Sequence, residues 1–360
     1  MKSLGNFPDP FIREVSGQPD ALRRAAGGLA GQLSRLEQLA PAAVRTTHPV
    51  LVFTGMGSSY DACYPVVTEL AAAGVPALHL DTAELLHFRR GLLRTGGILV
   101  AVSQSGRSAE LIRLAQDLAD TRSPVRVVTV TNGRDNPLAA LGDLALDTAA
   151  GPEFGPSTMT FAGSLVVLAA VGSVLAGEAP RAVLRRLLHE AEVAAQAAER
   201  ILAQPSLPDE LATWLGSRDT VVLLARGPGR AAAEMGALTL KEAVGLPAES
   251  LQTAQFRHGP LELAGPELAA MVIATEPETR DMDVALALEL VRAGAAVLLV
   301  TSEKQSSAPG AVRLSIGSVS RSIAPAVSVL PSQLLAWRLA VLRGREPGSY
   351  VQASKVTTRE

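Results

Sequence analysis

Short, almost wholly apolar runs alternate along this chain with longer stretches whose apolar residues recur at helical spacing. "PVLVFTGMGSS" (49–59) runs into a glycine-rich loop, and "YDACYPVVTELAAAG" (60–74) then reads as a helix ending at Gly74. "GGILVAVSQSG" (96–106) and "SAELIRLAQDLAD" (108–120) repeat the strand–loop–helix order. "PVRVVTVTN" (124–132) predicts a third strand, and "GDLALDT" (142–148) a short fourth. Strands without polar alternation, set between amphipathic helices, predict a parallel sheet covered on both faces.

The same plan recurs further on. "DTVVLLARGPGRAAAEMGALTLKEAVG" (219–245) matches the first strand, loop and helix. "LAAMVIATEPETRDMDVALALELVRAG" (268–294) matches the second unit, and "AAVLLVTSEK" (295–304) the third. Leu51 pairs with Val221, Ser103 with Thr275 and Thr131 with Thr301, at near-constant separation, which is the mark of a duplication. The expected fold class is α/β, with two tandem flavodoxin-like domains, each an open parallel sheet whose ligand crevice lies at the carboxyl ends of its strands. Four segments follow: a helical lead-in over 1–45 with its main helix in "PDALRRAAGGLAGQLSRLEQLA" (19–40), a first domain with a helical connector over 46–204, a second domain over 205–345, and a tail over 346–360. "PSQLLAWRLAVLRG" (331–344) predicts a last helix closed by Gly344.

Composition narrows the classes. The 360 residues are 48% hydrophobic, which suits a globular chain with a sizeable core. A net charge of -2 supplies no basic footprint for nucleic acid, while a small anionic ligand remains compatible with it. Cys63 is the only cysteine, so no internal disulfide can form, which fits a cytoplasmic location. The start lacks the apolar core of a signal peptide, and "FAGSLVVLAAVGSVLAG" (161–177) reads as a buried helix rather than a membrane span. No membrane association is expected. His48, His79, His87 and His189 show no zinc-type spacing, so neither a metal nor a cofactor is expected.

Chemistry concentrates at two strand ends. In a parallel sheet the loops "GMGSSYD" (55–61) and "SQSGRS" (103–108) are neighbours. Two readings are open. Ser58 or Ser59, and Ser105 or Ser108, serve as ordinary helix caps. Alternatively Ser58, Ser59, Ser103, Gln104, Ser105 and Ser108 surround a phosphate with neutral donors and helix N-termini.

These motifs resemble the sugar isomerase (SIS) domain family, more closely the isomerase half of glucosamine-6-phosphate synthase and the stand-alone glucosamine-6-phosphate deaminases. "GSSYDA" (57–62) is similar to the family's first phosphate loop and "SQSGRSAE" (103–110) to its second, with Arg107 where an acidic residue is common. The resemblance implies substrate-phosphate binding by the six residues just named. "AGPEFGPSTMTF" (150–161) resembles the family's sugar-binding segment and implies that role for Glu153 and Ser157, with Met159 in place of the usual lysine. "LTLKEAVGLPAESLQTAQFRHGPLEL" (238–263) resembles the segment with the isomerase base and the ring-opening histidine, which fall on Glu242 and His258. "ASKVTTRE" (353–360) resembles the family's terminal lysine motif, implying a catalytic role for Lys355 and a tail that closes as a lid. Taken alone, Glu242 and Lys355 also read as solvated surface residues, and His258 as a structural hydrogen-bonder.

The resemblance implies a phosphosugar aldose–ketose isomerase, a homodimer with a composite site. Only residues 1–45 precede the first sugar domain and Cys63 lies inside it, so a glutaminase domain is expected to be lacking. That favours deamination of glucosamine 6-phosphate to fructose 6-phosphate and ammonia. The alternatives are a deglycase, aminotransferase or isomerase on another sugar phosphate, or a non-catalytic sugar-phosphate-binding regulator.

Overall fold

The computed structural model describes residues 10–44, 50–303, 308–350, 352 and 354–357. His48, the first nine residues of the lead-in and parts of the terminal tail lie outside them. The chain forms two compact units. One comprises Asp20–Pro152, Met159–Glu192 and Gln352–Glu360, and the other Met1–Pro19, Glu153–Thr158 and Val193–Val351.

The first of these holds five parallel strands: β1 (Val50–Gly55), β2 (Leu78–Asp81), β3 (Gly97–Ser103), β4 (Val125–Thr131) and β5 (Leu144–Asp147). Their spatial order is β2-β1-β3-β4-β5. Strand β3 is buried at every position, as its uninterrupted apolar run requires. One face of the sheet packs Val52, Leu99 and Val127 against Leu85, Leu114 and Leu118. The helix Met159–Leu175 is buried nearly all round, which is why its sequence resembles a membrane span. Gly172 makes room there, since a Cβ would stand 2.4 Å from the Val66 side chain.

The second unit repeats the order with β6 (Thr220–Ala225), β7 (Ala248–Gln252), β8 (Leu268–Ala274), β9 (Ala296–Thr301) and β10 (Val312–Ser315), arranged β10-β9-β8-β6-β7. Both sheets therefore follow one doubly-wound plan, and the α/β fold with two tandem repeats is present. Helices Arg230–Val244 and Leu330–Leu342 pack on one another, and Gly236 lets them close: a Cβ there would stand 2.6 Å from Ser332 Oγ. The stretch Ala324–Leu342 is long and apolar enough to cross a bilayer by composition, yet 83% of that window is buried inside the fold.

The lead-in differs from the sequence reading. The lead-in helix is not continuous: it runs Gln18–Gly28, tightens into a 3-10 turn at Leu29–Gly31 and resumes over Leu33–Val44. Gly27, Gly28 and Gly31 weaken the helix where it breaks. A separate helix, Pro10–Ser16, precedes it.

Candidate functional site

Strands β1 and β3 are hydrogen-bonded neighbours, so their carboxyl-terminal loops emerge side by side. After β1 the chain turns at Gly57 (φ 53°) into the short helix Ser58–Asp61. Gly55 permits this turn, because a Cβ would sit 2.8 Å from the Ser59 carbonyl carbon. Ser58 and Ser59 lie half-buried and inside the helix; the N-cap position belongs to Gly57. Cys63 supports the loop from below, its thiol donating to the Ser59 carbonyl at 3.3 Å. Burial pushes that thiol's pKa up, so it stays protonated and unreactive.

After β3, Ser103 is buried, while Gln104, Ser105 and Ser108 are half-buried. Ser103 Oγ accepts the Gly106 N–H at 3.1 Å and lies 3.0 Å from Ser108 Oγ. Ser105 Oγ accepts the Arg107 N–H at 3.1 Å. Ser108 occupies the N-cap position of the helix Ala109–Asp120, but its hydroxyl makes no capping bond. Capping therefore does not explain the hydroxyl density here. Gly106 (φ +61°) holds the loop tight, since a Cβ would overlap the Asn136 side chain. Arg107 is exposed. The Ala109 N–H donates to the Thr357 carbonyl at 3.3 Å, which brings the terminal segment onto this loop two residues after the half-buried Lys355.

The other predicted residues lie in the second unit. Glu153 is buried, and its Oε1 accepts both the Thr158 N–H (2.8 Å) and the Thr158 hydroxyl (3.0 Å), closing the 153–158 loop. Ser157 is buried as well. The end of the loop leads to Met159, which packs with Ala21 and Ala150 where a lysine would carry charge. Glu242 is half-buried near the end of the helix Arg230–Val244, which closes on Gly245 in the left-handed conformation. His258 is exposed, just before Gly259 (φ +119°).

Two residues were missed from sequence. Glu14, on the helix Pro10–Ser16, is buried, and its carboxylate accepts the Phe154 N–H at 2.5 Å and the Gly155 N–H at 3.1 Å. Tyr350 is half-buried, and burial together with the nearby charges of Glu242, Glu153 and Glu14 pushes its phenol pKa up. A neutral hydroxyl thus stands within electrostatic reach of three carboxylates. Tyr350 stands in "REPGSYVQA" (345–353), a stretch with no local motif to mark it. Among the described residues, no group of three His, Cys, Asp or Glu side chains is placed to hold a metal ion.

Comparison with known proteins adds the family. The SIS domain profile matches residues 48–173 and 215–343. A glutamine–fructose-6-phosphate aminotransferase (isomerizing) of Pyrobaculum aerophilum is 28% identical over 373 residues, covering 100% of this chain and 59% of the relative. The corresponding protein of Thermococcus kodakarensis is 28% identical over 100% of this chain and 60% of its own length, so this chain spans about three-fifths of such relatives. Among solved structures, the C-terminal domain of glucosamine-fructose-6-phosphate aminotransferase from Francisella tularensis superposes with a TM-score of 0.82 at 21% identity, covering 97% of this chain and 100% of that one. Glucosamine-6-phosphate deaminase from Thermotoga maritima gives a TM-score of 0.71 at 20% identity, covering 96% and 99%. At these identities the two structures establish a shared fold.

Proposed function

This chain belongs to the SIS domain family, and on that footing we propose that it is a phosphosugar aldose–ketose isomerase that deaminates its substrate, with glucosamine 6-phosphate as the leading candidate. The observation that carries the reading is the Ser103–Ser108 loop, whose hydroxyls are held by Gly106 and by one another instead of capping the helix. In this reading Ser58, Ser59, Ser103, Gln104, Ser105 and Ser108 bind the phosphate, and Glu153 and Ser157 hold the sugar.

The chemistry then falls to Glu242, His258 and Lys355. His258 assists ring opening, where an imidazole can pass a proton to or from the ring oxygen. Glu242 takes the proton from C2 of the open-chain amino sugar and returns one at C1. The C2–N bond becomes an imine, and water hydrolyses it to the ketose 6-phosphate and ammonia. Lys355 supplies an amine that holds the open-chain ketone, and the tail closes over the substrate. The contact between Thr357 and Ala109 supports a closing tail. The exposure of His258 supports a homodimer in which this histidine serves a second copy of the chain.

A second reading, isomerisation or deglycation of a different sugar phosphate, draws on Met159: an apolar residue there removes the charge that a lysine would offer the sugar. Purified protein incubated with glucosamine 6-phosphate is expected to release ammonia and fructose 6-phosphate in equal amounts, and Glu242→Gln to lose about 10²- to 10⁴-fold of the rate. Absence of product above the Glu242→Gln background sinks the deaminase reading, and a panel including fructosamine 6-phosphates then tests the second one.

A further inference from the structure

The first sheet carries a second cavity, at the edge opposite the serine loops. Beside the amino ends of β3 and β4, a volume of about 460 Å³ is lined by Arg90, Arg94 and Arg122 together with Leu93, Leu118 and Pro124. It lies wholly within the first unit. The helix Ala109–Asp120 begins at the serine loop and ends here.

The charge on this lining is unbalanced. Arg90 pairs with the Asp117 carboxylate at 2.9 Å and donates to the Asp117 carbonyl at 3.4 Å, which closes the helix end. Arg94 and Arg122 are exposed, and among the described residues no carboxylate pairs with either. Two uncompensated guanidiniums on one cavity repel each other, and an anion between them removes that cost.

The backbone points the same way independently. Arg122 holds the left-handed conformation, with φ 49°. The Arg122 and Ser123 N–H groups donate to the Ala119 (3.0 Å) and Leu118 (2.9 Å) carbonyls. This pair of bonds is a Schellman cap, whose left-handed position ordinarily takes glycine. The helix Arg280–Arg292 of the duplicated sheet ends with the same pair, from Gly294 to Val291 and from Ala295 to Leu290, and there the left-handed residue is a glycine (φ 93°). The turn therefore has no need of an arginine, whose Cβ strains it. The 3-10 turn before β8, Pro260–Leu263, also lacks the arginines of its counterpart before β3, Arg90–Arg94. The cluster belongs to the first copy and is no requirement of the fold.

We infer that this cavity is a second binding site, for a phosphate ester with an apolar organic part. Guanidinium groups present planar N–H forks that match phosphate oxygens. Leu93, Leu118 and Pro124 give the organic part an apolar surface, which a bare phosphate ion would leave unused. The site shares no residue with the serine loops and is independent of the reaction proposed above.

Isothermal titration calorimetry on the full chain carrying Ser103→Ala tests it, with phenyl phosphate and inorganic phosphate as separate probes. Phenyl phosphate is expected to bind, about tenfold or more tighter than inorganic phosphate. Arg94→Ala and Arg122→Gly, added singly, are each expected to weaken that binding about tenfold. Arg122→Gly is also expected to raise the melting temperature, because glycine relieves the turn, so its loss of binding is separable from unfolding. Any of three results overturns the site: no binding of phenyl phosphate, binding that Arg94→Ala and Arg122→Gly together leave intact, or inorganic phosphate binding as tightly as the ester.

Discussion

Gly106 shows how a single residue fixes the Ser103–Ser108 loop. Its positive φ and its approach to Asn136 leave no room for a methyl group. Asn136 itself accepts the Ala139 N–H as a helix cap and donates to the Gly133 carbonyl. Gly106→Ala is therefore expected to cost at least about 2 kcal/mol, from backbone strain plus displacement of a cap, measured by chemical denaturation. Tyr350 gives a second prediction. A phenol whose pKa is raised in the folded state stays protonated where an unfolded tyrosine has already ionised. The folded state then holds the extra proton, so its contribution to stability is intact below about pH 10 and is lost as pH rises further, by at most about 1.4 kcal/mol per pH unit. Tyr350→Phe is expected to flatten the stability profile between about pH 10 and 11; an unchanged slope would remove Tyr350 from the carboxylate cluster.

Among the elements, the buried strands β1, β3, β4, β6, β8 and β9 were legible because nearly every position is buried and apolar or small, with Arg126 in β4 and Thr220 in β6 as the exposed exceptions. The short edge strands β2, β7 and β10 were not. Their burial alternates weakly and includes exposed residues, so Leu78–Asp81, Ala248–Gln252 and Val312–Ser315 carry no run that stands out from loop sequence. The serine-rich loops after β1 and β3 stood out in the sequence, since polar residues after a buried strand need a reason. The roles of Glu14 and Tyr350 were hidden because each acts on a segment distant in sequence, and neither sits in a local motif. An element-level prediction concerns the start of the helix Arg280–Arg292. Asp283 is 1% exposed and pairs with Arg226 Nε at 2.9 Å, tying this helix to the loop after β6. Asp283→Ala leaves the guanidinium poorly compensated and is expected to destabilise the protein by about 3 kcal/mol in urea denaturation. A loss below about 0.5 kcal/mol would mean that the pair behaves as an exposed one.

At the scale of the whole chain, duplication has given one strand plan two kinds of crevice. The first copy ends its central strand in Ser103, Gln104 and Ser105, neutral groups suited to an anion. The second ends it in Thr275, Glu276 and Pro277, and carries Glu242 on the helix after its first strand. Under the proposed function this is a division of labour: phosphate binding needs donors without carboxylates, whereas proton transfer at carbon needs a carboxylate. The account's central claim is that Glu242 drives turnover of a sugar phosphate held by the serine loops. A ³¹P NMR time course on glucosamine 6-phosphate tests it most directly, with wild type, Ser103→Ala and Glu242→Gln run side by side. The account predicts that wild type converts the substrate resonance to that of fructose 6-phosphate, that Ser103→Ala converts it only at raised substrate concentration, and that Glu242→Gln broadens the resonance by binding without converting it. Conversion by Glu242→Gln at the wild-type rate would contradict the account.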